Sequence, residues 1–528
     1  MTASRTLKKI GFASFIMMAS VFASRLIGIA REGSIAWLGG AGSGVDAYQV
    51  AFVIPEILNH VVASGFLSIT FIPIFTRYLA EKNDAEGYRV FSIILNGFGL
   101  ALLVFMAIAM MFAPDLIGIL APGITDPETL DLAVRMTRII IPAQFFFFSG
   151  GLFMAVQFAK ERFFIPALAP LIYNTGIIAG GLLLYPVLGM EGFAWGVLGG
   201  AFLGSFLLQL FGAARAGLRY LPTFDLHHPD FKRYILLTLP LMLGLTMTFS
   251  TEILMKFFGS FLDAGSISAM NYALRIMFIL VGFFGQAVGM ASYPFLAKIA
   301  AKKDFVQLNS LMNQTLKFIF LVIPFSVLFM VVRQEVVTIL FQRGAFDANA
   351  TELTAGVLPY FMIGAFAFSA QTIVSRGYFA LQNTLFPALF STVCVLATLP
   401  VVYFGMHMMG VKGVALGLSL SVAVTSLLLF ETWSRKSNNT EKSDVYRFLV
   451  NILLVSICMG AVLQAVYLGL VRFIPPDGMV LSMAVCVIMG LVFLLLFGAL
   501  GKLFGIAEIH TLYEKIFKKV LPWLQNSD

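Results

Sequence analysis

The chain repeats itself. Pro73, followed four residues on by Arg77, returns 221 positions later as Pro294 followed by Lys298. Gly123-Ile-Thr-Asp126 returns as Gly344-Ala-Phe-Asp347, Pro166-Ala-Leu168 as Pro387-Ala-Leu389, and Gly192-x-Ala194-x-Gly196 as Gly413-x-Ala415-x-Gly417, all at that offset and without a gap. A repeat of this length implies two structurally like halves that follow one another in the same sense. Composition sets their surroundings. Of the 528 residues, 59% are hydrophobic and 12% charged, and mean hydropathy is +0.92, far from the average of a soluble domain. Membrane proteins built from two like halves place a substrate path near the axis that relates them. A transporter is therefore expected ahead of a duplicated scaffold that moves nothing.

Apolar runs of about 20 residues, the length that crosses a bilayer core, fall at roughly 10–31, 47–76, 90–113, 131–158, 164–186, 192–214, 234–261, 267–297, 315–332, 352–380, 385–406, 411–433, 446–471 and 478–500. The fold expected is an all-α polytopic membrane protein of about fourteen transmembrane helices. The offset pairs the first six runs (residues 1–219) with the next six (230–435) as parallel lobes. The last two, within 446–502, stand outside the repeat as an appendage. Segment 507–524, with Leu512, Ile516, Val520 and Trp523 against Lys515, Lys518 and Lys519, reads as an amphipathic interfacial helix.

The formal charge of +8 is unevenly spread. Lys8 and Lys9, then Arg77, Lys82 and Arg89, then Lys160 and Arg162, then Arg215, Arg219, Lys232 and Arg233, then Lys298, Lys302 and Lys303, and finally Arg435, Lys436, Lys442 and Arg447 occupy alternate loops. Loops 114–130, 186–191 and 262–266 carry no Lys or Arg, and Arg333, Arg343 and Lys412 are minor exceptions. The positive-inside rule then puts both termini in the cytoplasm, and nucleic acid binding is a poor reading of the charge. The first run is too long for a signal peptide, holds Arg25 and lacks a small-x-small cleavage site, so it reads as a retained span. Cys394, Cys458 and Cys486 lie in apolar runs without metal spacing and read as core residues. His227 and His228 read as solvated, and the five histidines form no ligand set. No G-x-x-x-x-G-K-[ST] is present, so nucleotide hydrolysis is not expected. No cofactor is expected either. Energy would come from a coupling ion, the membrane potential or downstream metabolism.

Glycine and charge mark the inside of the bundle. Gly196, Gly200 and Gly204 share one helix face, as do Gly285 and Gly289, and small residues allow helix backbones to approach in lipid. A charged side chain costs roughly 2.5–3.5 kcal/mol at a lipid-facing helix centre. Here Arg25, Arg31, Asp46, Glu56, Glu252, Lys256 and Arg275 fall in the first, second, seventh and eighth runs, the same two helices of each half. The polar pair Asn59-His60 lies one turn beyond Glu56. Such helices would wall a wet, cationic cavity, and a diphosphate fits it: guanidinium forks bind phosphate oxygens in pairs and Lys adds a point charge. The bland readings are that Arg31 and Asp46 snorkel from span ends and that Glu252 and Lys256, at i and i+4, neutralise each other. Gln286 and Asn174 read as interhelical hydrogen-bond partners.

Ser24-Arg25-Leu-Ile-Gly-Ile-Ala-Arg31-Glu32 and Gly40-Ala-Gly-Ser-Gly-Val-Asp46-Ala-Tyr48 resemble the opening of the MurJ (MviN) family within the multidrug/oligosaccharidyl-lipid/polysaccharide exporter superfamily. The resemblance continues through Ala63-Ser-Gly65, Phe71-Ile-Pro73, Ala121-Pro-Gly123, Ile165-Pro166, Asn271-Tyr-Ala-Leu-Arg275 and Leu340-Phe-Gln-Arg-Gly344, essentially the whole chain. It implies flipping of a polyprenyl-diphosphate-linked disaccharide-pentapeptide (lipid II) from the inner to the outer leaflet of the bacterial inner membrane for peptidoglycan synthesis. It also implies a groove for the lipid tail by the last two spans, and wall-synthesis proteins as partners. The family's cavity arginines correspond to Arg25, Arg31 and Arg275, and its aspartate to Asp46. The substrate site expected is thus Arg25, Arg31, Arg275, Lys256, Asp46, Asn59, His60 and Glu252, with no catalytic residue and no metal. Asn59-His60 stands where the family carries an Arg-Arg pair, Ser64 where it carries an acid, and Phe278 where an acid follows Arg275. Lys256 would make up part of the lost charge. A flippase for another polyprenyl-linked glycan and a cation-coupled exporter of amphipathic compounds are the alternatives.

Overall fold

With no water in a bilayer core to satisfy peptide groups, an apolar chain must bond its backbone within each segment, and this one does so as helices. The computed structural model describes residues 3–62, 70–245, 250–475, 478–504 and 508, with side chains for 16–59, 70–238, 251–475, 478–504 and 508. Ala63-Ser-Gly65, the His60 side chain and, Glu508 apart, the amphipathic segment 507–524 lie outside the described residues. Among those described, every regular element is helical. Eleven helices are long and apolar enough to cross a membrane, from Asp84–Met111 to Gly478–Leu503. They correspond to the third to sixth and eighth to fourteenth apolar runs. The other three runs hold most of the interior charge; their described parts include Ala3–Gly39 in the first, Ser43–Ala51 and Val53–Val62 in the second and Ser250–Gly259 in the seventh.

The repeat is visible in the backbone. Asp126 and Asp347 each cap a helix, accepting from Thr129 N at 3.0 Å and from Ala350 N at 2.8 Å. Asn83 and Asp304 do the same one span earlier, accepting from Glu86 N and Gln307 N. These caps satisfy amides that have no partner within the helix. Lys82 and Lys303 both turn with φ 55°, and Glu161 and Gln382 with φ 57° and 59°. Each pair is 221 apart. The Asp126 carboxyl, accepting also from the Thr129 hydroxyl, is held below the ordinary carboxylate range by those hydrogen bonds.

The chain forms two compact units, Met1–Ser268 with Gly344–Phe346, and Ala269–Arg343 with Asp347–Asp528. In the first, helix Phe164–Leu188 packs on Ala3–Gly39 and on Glu191–Gly200. The glycine face makes that second contact: a Cβ on Gly196 would meet Gly176 O at 2.8 Å, and one on Gly200 would meet Tyr173 O at 2.7 Å. The joint between the repeats is fastened to this unit. Leu221 N donates to Ser92 Oγ at 3.0 Å, Asn96 Nδ2 to Thr223 O at 2.8 Å, and Asp230 takes both Arg77 Nη2 (2.7 Å) and the Tyr78 hydroxyl. His228 is not solvated as expected. Its ring is 12% exposed and faces Glu86 Oε1 at 3.3 Å, while Nδ1 accepts from Asp230 N.

In the second unit, helix Ala348–Ala380 packs along Val411–Lys436, with Gly285 and Gly289 of the span Ser266–Ala301 against its other side. The last two helices are part of this body. Lys442–Phe473 buries Val445, Leu449, Ile452, Val455, Met459 and Leu463 and packs on Val322–Val331, and Gly478–Leu503 packs on Arg333–Phe341. Between them Glu335, 1% exposed, accepts from the Tyr467 hydroxyl at 2.6 Å. Of the three cysteines, Cys394 is buried and Cys486 half-buried, but Cys458 is exposed. Expecting all three in the core equated apolar with buried; on a lipid-facing helix the two differ.

Candidate functional site

In the first unit the charges are organised around two centres. Arg31, near the end of Ala3–Gly39, directs Nη2 to Glu32 Oε1 at 2.6 Å and Nη1 to Asn174 Oδ1 at 3.1 Å. Asn174 in turn donates from Nδ2 to Pro170 O at 2.9 Å and to Ser24 Oγ at 3.3 Å. The guanidinium is thus oriented from two helices, and its Nε is buried without a hydrogen bond. Tyr48, 3% exposed, and Tyr173 lie within its electrostatic reach. Arg25, six residues earlier on the same helix, is exposed rather than buried.

The second centre is Lys256, 1% exposed on Ser250–Gly259, with Nζ 3.3 Å from Glu56 Oε2. A lone buried ammonium would cost several kcal/mol, and this carboxylate, from 200 residues earlier in the chain, faces it. Asn59, half-buried, is on the same helix as Glu56. Glu252 is half-buried one turn before Lys256.

Asp46 has a different task. Its Oδ2 accepts from Gly265 N at 2.6 Å and its Oδ1 from Ser268 N at 2.7 Å, so it caps helix Ser266–Val281 from a distant element. Burial at 5% exposure leaves both oxygens committed to backbone. Gly265 (φ 92°) must be glycine here, since an added Cβ would also strike Ala41 O. Nearby, Ala345 N donates to Trp37 O at 2.8 Å, and a Cβ on Gly344 would overlap Trp37.

Arg275 belongs to the second unit, partly buried on Ser266–Val281. One turn before it, Asn271 is 1% exposed with neither amide atom hydrogen-bonded. Asn174 is an interhelical hydrogen-bond partner, as expected, but sequence reasoning missed that it and Glu32 orient Arg31. Glu32 was legible, being adjacent to the arginine. The pairing of Asn174 with Arg31 was not, because the two sit 143 residues apart. Glu335 and Arg376 were also passed over; both are charges within or beside apolar runs. Among the described residues no cluster of His, Cys, Asp or Glu could hold a metal ion.

Comparison with known proteins agrees with this arrangement. The family model described as lipid II flippase MurJ matches residues 35–495. A lipid II flippase MurJ of Burkholderia cenocepacia is 28% identical over 453 residues, 84% of this chain and 87% of that protein. A probable lipid II flippase MurJ of Thermotoga maritima is 30% identical over 449 residues, 84% and 88% of the two chains. A solved lipid II flippase MurJ in an inward closed conformation superposes with TM-score 0.75 at 25% identity, covering 92% of this chain and 99% of that one. An inward-facing multidrug resistance MATE family transporter of the MOP superfamily shares the fold, with TM-score 0.64 at 15% identity over 79% and 96% of the chains. The match spans both repeats and the two helices beyond them. This chain belongs to the lipid II flippase MurJ family.

Proposed function

We propose that this chain carries lipid II, a polyprenyl-diphosphate-linked disaccharide-peptide, from the cytoplasmic to the outer leaflet of the bacterial inner membrane. The observation that carries the reading is the family match over residues 35–495, and the oriented Arg31 supports it. A guanidinium held by Glu32 and Asn174 loses little further freedom on gripping a phosphate oxygen, which favours a bidentate hold. Arg25, exposed and on the same helix, would supply a second fork, and Arg275 a third. Lys256, tied to Glu56, would add charge when that pair opens. Movement is by alternating access, and the fold has fourteen spans, two six-helix lobes and two extra helices beside which the lipid tail runs, with both termini cytoplasmic. No bond is made or broken, so the work is binding and release.

Transport per folded molecule tests this. Arg25→Ala or Arg275→Ala should abolish flipping while leaving expression and insertion normal, and lysine at either site should restore only part of it. Normal specific activity in both alanine variants would overturn the cationic mechanism. Lys256→Ala should be severe if the ammonium meets substrate and mild if it only neutralises Glu56.

A further inference from the structure

In the second unit a cation stands where its neighbours offer no counter-ion. Arg376 lies on the last turns of Ala348–Ala380, a helix apolar enough to cross a membrane. Its guanidinium rests on the backbone of the facing helix: a Cβ added at Gly289 would come within 2.8 Å of Nη1 and 2.9 Å of Cζ. Among the described residues it has no hydrogen bond and no ion pair, and none of its nitrogens is sealed from its surroundings.

The helices around it explain why. Val288–Ala301 has no acidic residue. Along Ala348–Ala380 the single acid is Glu352, at the opposite end. Phe305–Phe320, which packs on both, has none and adds Lys317, and the single acid of Val411–Lys436, Glu431, is held by Arg435 and Lys442. Asp304, just before that helix, is engaged as its cap with Gln307 N. Tyr293 is the titratable neighbour within electrostatic reach. The rim is apolar and open, with Met290, Tyr293, Phe295 and Phe379 exposed. Such a rim is open rather than a dry core. A cation in this place is costly unless a partner arrives from outside the protein. The partner chemistry that suits an accessible guanidinium in an apolar rim is a phosphate oxyanion, bound by charge-assisted, paired hydrogen bonds.

We propose that Arg376, seated against Gly289 beside Tyr293, is a binding site for the phosphate of a membrane lipid. The site lies within the second unit. Two sources share the chemistry: a bilayer phospholipid and a polyprenyl diphosphate. The phospholipid arm of the test is independent of the flippase reading, so the two can fail separately.

The full chain, purified in detergent, would be titrated with dioleoyl-phosphatidylglycerol or farnesyl diphosphate, and bound lipid counted by native mass spectrometry. Diacylglycerol, which lacks phosphate, is the control. Arg376→Gln should weaken binding of at least one phosphate probe by about tenfold or more, the loss expected of a charge-assisted pair. Arg376→Lys should recover part of it. Gly289→Ala is the sharper variant, because it keeps every charge. Its methyl meets the movable end of Arg376, so the fold tolerates it while the guanidinium is displaced. It should weaken the same probe as Arg376→Gln does. A loss for phosphatidylglycerol assigns the site to bilayer lipid, and one for farnesyl diphosphate to a polyprenyl carrier. Unchanged binding of both probes in Arg376→Gln, or equal loss for diacylglycerol, would overturn the proposal.

Discussion

The two repeats share their turns and differ in their charges. Asp126 and Asp347, Lys82 and Lys303, Glu161 and Gln382 take matching roles at the same offset. The functional candidates do not. Arg31 answers to Glu252, Asp46 to Ile267, Glu56 to Met277, Lys256 to Ile35, Arg275 to Ile54, Glu335 to Pro114 and Arg376 to Ala155. What was duplicated and kept is therefore the set of helix ends. Helix ends are set by local backbone chemistry that both copies need. Buried charges answer to partners that only one copy meets, so they diverge.

The largest test of this division uses two glycines at equivalent places. A Cβ at Gly413 would overlap Gly405 O, whereas one at Gly192 would sit 3.0 Å from Leu184. We expect Gly413→Ala to cost about 3 kcal/mol or to prevent insertion, and Gly192→Ala about 1 kcal/mol, as read from thermal denaturation in detergent. Equal losses would mean that helix packing, too, is conserved between the copies.

A smaller effect should be the same in both. Gly189 and Gly410 end their helices with φ 55° and 58°, ψ −136° and −132°, and an added Cβ meets nothing within 4 Å at either. Alanine there should cost about 1–3 kcal/mol through backbone strain alone, and the two variants should agree within about 0.5 kcal/mol. A difference beyond that would break the claim that the ends are equivalent.

Tyr467→Phe probes what only the second half has. It removes the hydroxyl from Glu335 while keeping the ring, and should destabilise by about 1–3 kcal/mol without altering the first unit. Smallest of all, Asp126→Ala and Asp347→Ala should each lower thermal stability slightly, as lost helix caps. Lowering the pH should remove the Asp126 contribution only as it falls through a value below the ordinary carboxylate range. Its folded pKa is depressed, so the stabilisation is present above the unfolded value.

Much of this was legible in the sequence for a physical reason. Length and apolarity report a bilayer directly, so eleven helices fall on the expected runs. That the interior charge concentrates in a few of those runs was legible too. The partners of those charges were not legible. Asp46 looked like a ligand contact or a snorkelling residue because its acceptors' donors, Gly265 and Ser268, are some 220 residues on. Lys256 was read beside Glu252 at i−4, and that its ammonium faces Glu56, 200 residues earlier, was not visible. Periodicity sees neighbours on one helix and is blind to a helix that arrives later. The same blindness hides the contact by which Tyr467 closes over the buried Glu335.

The residues that Asp46 holds have a consequence for how this chain could be divided. The repeat boundary near residue 222 looks like a place to cut, yet the first compact unit runs to Ser268 and borrows Gly344–Phe346 as well. A gene split at the repeat boundary would release a first fragment whose capping carboxylate has nothing to cap and whose half-buried Glu56 lacks its ammonium. The duplicated halves have become mutually dependent for assembly. Two separately encoded copies could no longer be swapped, shuffled or paired with themselves to rebuild an ancestral dimer.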